Sequence, residues 1–283
     1  MTLVTLFLAG GPAANATFPG GNGDIAFGRK GDIWVRSAAD SSTARLTDTP
    51  GAREGLPDWN AAGSQVAFTR CRGSEFGNCD IWVVNADGSG QTRITKTAIA
   101  QETWPTWSPD GGMIAFYVEQ GGRLPGHLVM DADGSNKTRL TTTMGFDAFP
   151  EWSPDGTRIA FTSDRDAVDD IWVMDADGSD AVRLTTGQKV DERPDWSPDG
   201  AFITFSRKSD IWTMDADGEN LTQLTFGPHV EFGPTFSPNG QRIAFNRQGN
   251  DDRIGVWIMR ADGSNRIQKT FGMFDFFPDW QPI

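Results

Sequence analysis

The sequence predicts an all-β protein: a six-bladed β-propeller whose blades are four-stranded and antiparallel. Three observations carry this. A segment of the form P-x-W-S-P-D-G-x-x-I-A-F recurs along the 283 residues. Its anchor aromatics, Trp59, Trp107, Trp152, Trp196, Phe236 and Trp280, are 40 to 48 residues apart, a four-strand blade period. No stretch keeps a helical periodicity, whereas short apolar runs alternate with turn signals.

Each unit reads as four strands in order. The first is the P-x-W stretch, as in Pro194-Asp195-Trp196. Ser-Pro-Asp-Gly then reverses the chain, Pro presetting φ and Gly supplying a positive one. The second strand is I-A-F, as in Ile159-Ala160-Phe161, and the third D-I-W-V-M-D, as in Asp170–Asp175. An Ala-Asp-Gly-Ser turn leads to a short fourth strand, R-L-T, as in Arg183-Leu184-Thr185. Ten of the eleven tryptophans fall at two repeat positions, the anchor of the first strand and the W position of D-I-W in the third, where their large apolar area suits a core between blades.

The chain ends imply closure. The N-terminal unit starts at its second strand, Ile25-Ala26-Phe27, while Pro278-Asp279-Trp280 is a spare first strand at the C-terminus. Pairing the two completes a sixth blade and removes free sheet edges. The propeller is therefore expected over residues 17–283. Residues 1–16 carry no charge and end in Ala14-Asn15-Ala16, the small-x-small pattern of a secretory signal. A signal peptide or a disordered tail is the expectation there. With it goes a secreted or periplasmic, cell-envelope location. No other apolar run is long enough to span a bilayer.

Cys71 and Cys79, in CRGSEFGNC, are the only cysteines. In an exported chain they read as a disulfide closing a short loop. Free thiols or a metal site are the alternatives. The net charge of -13 excludes nucleic acid as an expected partner and favours cationic ones.

Catalytic material is sparse. His127 and His229 are the only histidines, and there is no G-x-S-x-G, P-loop or H-E-x-x-H. The turns at Asp131–Gly134, Asp175–Gly178 and Asp215–Gly218 lack the later ligands of a calcium loop. One constellation stands out. An acid lies five residues before every anchor aromatic: Glu54, Glu102, Asp147, Asp191, Glu231 and Asp275. In a propeller this stretch leads into the innermost strand, at one mouth of the central channel. Six carboxylates there would form a negative funnel for a cationic peptide. Glu102, Asp147, Asp191 and Glu231 could also hold Ca²⁺, which takes six to eight oxygens. The competing reading is structural, each acid bonding within its own linker. Aromatic neighbours, Trp104, Phe149, Phe232 and Phe276, offer apolar anchors beside the acids.

The repeated P-x-W-S-P-D-G-x-x-I-A-F, D-I-W-V-M-D and R-L-T segments resemble the propeller repeats of the TolB family over residues 24–283. The resemblance implies a six-bladed fold and peptide binding at the channel mouth, where calcium has been associated with the family. Gly126-His127-Leu128, Lys269 and Asn60-Ala61-Ala62-Gly63 depart from the pattern. The repeats leave no room in this sequence for the α/β domain of TolB or for a hydrolase domain. The expected function is a non-enzymatic, monomeric protein- or peptide-binding propeller that requires no cofactor. A propeller-fold polysaccharide lyase or glycan hydrolase, using the mouth carboxylates, is the alternative.

Overall fold

The computed structural model describes residues 21–73, 78–98, 100–120 and 125–283. The expected signal segment, 1–16, lies outside them. Every described element is a strand, and each unit pairs its strands antiparallel in sequence order, except that the C-terminal strand comes first in the sheet of the N-terminal unit. Among the described residues these form four separate four-stranded sheets and one sheet of eight strands, not six separate sheets. The eight-stranded sheet has two antiparallel halves, running from Ala52–Trp59 to Thr92–Arg93 and from Ala100–Trp107 to Thr138–Arg139. A single parallel pair, Cys79 with Gln101, joins them. The architecture is a propeller of four-stranded antiparallel sheets.

The two chain ends do meet. Asp275–Pro282 pairs antiparallel with Asn22–Arg29, and Trp280 lies opposite Ile25. Cys71 and Cys79 are bonded and face each other in register on neighbouring strands. Among the described residues, no helix is long and apolar enough to cross a membrane.

Two repeated devices explain the motif residues. The threonine of R-L-T is buried in every unit and its Oγ1 accepts the amide of the third strand. Thr47 accepts from Ile33, Thr185 from Ile171 and Thr225 from Ile211, at 2.8–2.9 Å. This anchors a fourth strand only two or three residues long, too short to hold by its own ladder. The glycine of the Ala-Asp-Gly turn meets the preceding unit. At Gly134 (φ 88°) a Cβ would lie 2.5 Å from the Ile94 carbonyl oxygen, so neither the backbone angle nor the space admits a side chain.

The core lies between sheets. Phe27, Phe68, Phe116, Phe161, Phe205 and Phe245, the F of each I-A-F, are fully buried. Trp59, Trp152 and Trp196 pack against the second and third strands of adjacent units. His127 replaces the usual Ile and is fully buried, edge-on to Phe161 at 5.3 Å. Loss of water holds its imidazole neutral, with the pKa lowered to about 4. Unfolding frees this group to take a proton. Its contribution to stability is therefore complete above its ordinary 6.5 and is lost as the pH falls towards 4. His127→Ile is expected to raise acid stability, by up to about 3 kcal/mol at the low end of that window. Thermal melts at neutral pH and at pH near 4.5 test this. A gap between variant and wild type that does not widen in acid refutes it.

Candidate functional site

The central site begins with a backbone irregularity present in every first strand. Between Ala148 and Glu151 the pairing slips, so that Phe149-Pro150 faces Phe161 alone. The same slip falls at Arg193-Pro194, Gly233-Pro234, Leu56-Pro57, Trp104-Pro105 and Phe277-Pro278. It is a β-bulge, which accommodates a proline within a sheet because the ladder is already interrupted. The residue before each proline is left-handed: φ is 57° at Leu56, 50° at Trp104, 53° at Phe149, 59° at Arg193, 60° at Gly233 and 53° at Phe277. These bulges turn the pre-proline side chains into one open cavity of about 120 Å³, ringed by the six prolines.

The mouth is aromatic. Trp104 and Phe149 rings are 4.4 Å apart, and Tyr117 closes on Trp104 at 5.2 Å. The Arg193 guanidinium sits 4.1 Å from the Phe149 centroid and 4.6 Å from that of Phe277, a cation–π contact on two sides. Among the described residues it makes no hydrogen bond or ion pair, and Glu192 reaches it only through its field. Burial lowers its pKa to about 10, so it stays charged at neutral pH.

One step deeper lie Asp58, Glu151, Asp195 and Asp279, two residues after the pre-proline positions. Each reaches towards the neighbouring unit. Asp279 accepts the Trp59 amide at 2.6 Å, Asp58 the Trp107 amide at 2.7 Å and Asp195 the Phe236 amide at 2.6 Å. Glu151 accepts from the Thr106 hydroxyl at 3.2 Å. The first of these contacts runs from the C-terminal strand across to the next sheet. Burial raises Asp58, Glu151 and Asp195 well above the carboxylate range, with mutual repulsion adding, and brings Asp279 to about 7. Below them the channel shrinks to about 30 Å³ between tryptophans.

The acids singled out by sequence spacing are elsewhere and are engaged. Asp191 receives both Nε and Nη2 of Arg207 at 2.6 Å. Arg29 binds Asp275 at 2.5 and 2.8 Å, Arg70 binds Glu54 at 2.5 Å and Arg165 binds Asp147 at 2.9 Å. Arg247 lies 3.6 Å from Glu231. All six acids are buried. Glu102 alone lacks an arginine: Val118 lies opposite it, Lys137 stands at 3.8 Å, and burial raises the pKa of the Glu102 carboxyl. The arginines stack on the aromatics of their own units, Arg70 at 3.9 Å from Trp82 and Arg165 at 4.6 Å from Trp172. The expected open ring of carboxylates is thus a set of internal ion pairs. Glu102, Asp147, Asp191 and Glu231 do not fit Ca²⁺, because each is drawn to its own cation or hydroxyl. Among the described residues no group of three or more His, Cys, Asp or Glu side chains is placed to hold a metal ion.

Of the expected aromatics, Trp104 and Phe149 line the mouth. Phe232 stands behind it, 6.1 Å from Phe277, and Phe276 stacks on Phe274 at 6.1 Å. Spacing from the anchor aromatic overlooked Leu56, Arg193, Gly233 and Phe277 as a set. The signal that finds them is the residue immediately before each first-strand proline.

The fold and its channel define a β-propeller of the repeat type. Residues 105–283 match the TolB beta propeller domain, and the chain belongs to that family. The fold is similar to that of TolB from Acinetobacter baumannii, at 24% identity and a TM-score of 0.80, covering 92% of this chain and 67% of that one. A putative TolB from Agrobacterium tumefaciens is 21% identical at a TM-score of 0.72, covering 93% and 99%. A chain of a nidogen/laminin complex is 13% identical at a TM-score of 0.73, covering 89% and 97%. No curated protein matches the chain in sequence.

Two outcomes are expected here. Arg207→Met leaves Asp191 charged, buried and unpaired, and should cost roughly 3–5 kcal/mol in urea unfolding. A loss below about 1 kcal/mol contradicts the buried-pair reading. Asp279 is protonated more readily when folded than unfolded, so its stabilisation is full below about 3.8 and fades as the pH rises through 7. Asp279→Asn keeps an acceptor for Trp59 and should flatten the fall in melting temperature between pH 5 and 8. An unchanged slope refutes the assignment.

Proposed function

We propose that this chain is a non-enzymatic, monomeric protein- or peptide-binding module of the cell envelope or secreted fraction. On this reading the eight-stranded sheet counts as two blades, so that six blades surround one channel. The docking surface is the aromatic channel mouth. The observation that carries this is the convergence of Trp104, Phe149 and Phe277 on one cavity through bulges with strained backbone angles. Left-handed φ at bulky residues costs roughly 1–3 kcal/mol each, and such strain collects at ligand clamps.

Exposed apolar side chains reinforce the reading. Met144, Phe226, Phe271 and Met273 are 89%, 65%, 75% and 61% exposed. They sit in the segments that lead into first strands, at the end of the ring where those strands begin. Exposed apolar groups around a cavity are typical of docking surfaces. The resemblance to TolB supports a periplasmic location. A cationic partner, expected from the six acids, loses its main support because arginines occupy five of them and Lys137 stands by the sixth. The lyase or hydrolase alternative loses its carboxylates for the same reason.

Capture experiments on an envelope extract test this. Trp104→Ala/Phe149→Ala should lose the proteins that wild type retains. Asp177→Asn/Asp217→Asn, in exposed outer hairpins, should retain them. Equal capture by the mouth variant, or turnover on a polyuronate panel by wild type, would overturn the proposal.

A further inference from the structure

Six prolines surround the channel mouth, and proline has no N–H to donate. An incoming chain therefore finds no strand edge there to extend. The charged donor that the mouth presents among the described residues is the guanidinium of Arg193. It lies over the rings of Phe149 and Phe277, and no carboxylate among the described residues is bonded to it. The contrast with the rest of the molecule is sharp. Arg29, Arg70, Arg165 and Arg207 each bind an acid at 2.9 Å or less, in a protein with thirteen more acids than bases. Arg193 is left over, fixed in place and facing a cavity.

The shape of the cavity narrows what can sit on it. Beside Arg193 the ring position is Gly233, where an added Cβ would lie within 3.9 Å of the Arg193 side chain and 3.5 Å from Phe277. The missing side chain leaves the approach to the guanidinium clear. Beneath the mouth, space falls from about 120 Å³ to about 30 Å³, room for a water but not for a continuing backbone. A segment entering here stops here. A chain end suits such a blind site, and a planar carboxylate suits a rigid guanidinium fork, which can grip it with two parallel hydrogen bonds.

We propose that the channel mouth binds the C-terminal carboxylate of a peptide, with Arg193 gripping the carboxylate and Trp104, Phe149 and Phe277 receiving an apolar last side chain. This rests on the reading of the mouth as a docking surface and specifies its guest. The four deeper carboxylates do not repel such a guest as a full cluster of charges would. Burial favours the neutral forms of Asp58, Glu151 and Asp195, and with its pKa at about 7 Asp279 is only partly ionised at neutral pH.

Calorimetric titration of wild type at neutral pH with three peptides tests the proposal: acetyl-Ala-Ala-Phe as the free acid, the same peptide as its C-terminal amide, and acetyl-Ala-Asp-Ala amide. The free acid should bind roughly tenfold or more tightly than either amide, the worth of a charge-assisted pair of hydrogen bonds. Arg193→Met should erase that preference, and Arg193→Lys, charged but without the fork, should keep only part of it. Equal binding of acid and amide, both weakened by Phe149→Ala, overturns the carboxylate site while leaving peptide docking intact. Equal binding by the internal-aspartate peptide overturns the choice of a chain end. Absence of binding by all three at millimolar concentration overturns the inference outright, and the capture experiment then judges the docking surface separately.

Discussion

The left-handed bulge before the proline of each first strand is the constraint on which the site depends. It permits a proline in the innermost strand of a sheet, where the missing N–H would otherwise break the ladder. It turns one residue per unit towards the axis, with a side chain in five of the six. It also sets the phase of the strand beyond it, so that Asp58, Asp195 and Asp279 reach the amide of the next unit's anchor aromatic. The bulged amides are secured in the same direction. Arg193 donates to Thr162 and Gly233 to Ser206, both on the preceding sheet. Channel lining and blade-to-blade bonding are thus products of one local irregularity, and strain at the five non-glycine positions is offset by contacts that span the sheets.

Charge is distributed by the same economy. A net charge of -13 suggests a negative surface seeking positive partners. Yet five of the six recurrent acids at the start of the first strands are buried against arginines, four of them on second strands, and Glu102 stands near Lys137. A paired, hydrogen-bonded buried carboxylate offers little to a ligand, because releasing it would strand the arginine. The deeper carboxylates have no such cations and instead shift towards their neutral forms. Among the described residues Arg193 is the cation left without an ion pair at the mouth, so local chemistry there runs against the sign of the whole molecule.

The fold was legible in the sequence because its determinants are local: Pro-Asp-Gly turns, short apolar strands and a period near 44 residues. Pairing of the chain ends followed from the same counting, and that of Cys71 with Cys79 from their short spacing in a chain read as exported. The partners of the acids were harder to see. Glu54 and Arg70, or Asp191 and Arg207, stand sixteen residues apart and meet only through strand register. An arginine two residues beyond I-A-F was the available sign, as in Ile243-Ala244-Phe245-Asn246-Arg247. Arg193 and Phe277 were hidden for a different reason. Ordinary backbone rules place bulky residues away from positive φ, so nothing in composition marks the position before proline as the one that turns inward. Separate sheets were expected throughout, and the merger of two through Cys79 and Gln101 depends on one parallel contact that no motif encodes.

Comparison of the units with one another separates structure from function within this one chain. Proline follows the bulge in all six, and the left-handed angle is common to all six, because the ring requires both. The residue at the bulge is not common: it is Leu56, Trp104, Phe149, Arg193, Gly233 and Phe277 in turn. A demand of the fold would call for the same answer in every unit, and glycine would meet the backbone angle at least cost. Five of the six positions instead carry large side chains at an unfavourable angle. They differ in size and polarity around the ring, with aromatics beside the arginine and a gap next to it. Such asymmetry in a repeating frame is what an asymmetric guest would require. On the docking role proposed above, recognition falls at the positions where the repeat stops repeating, while the strictly repeated acids, paired internally, serve the scaffold.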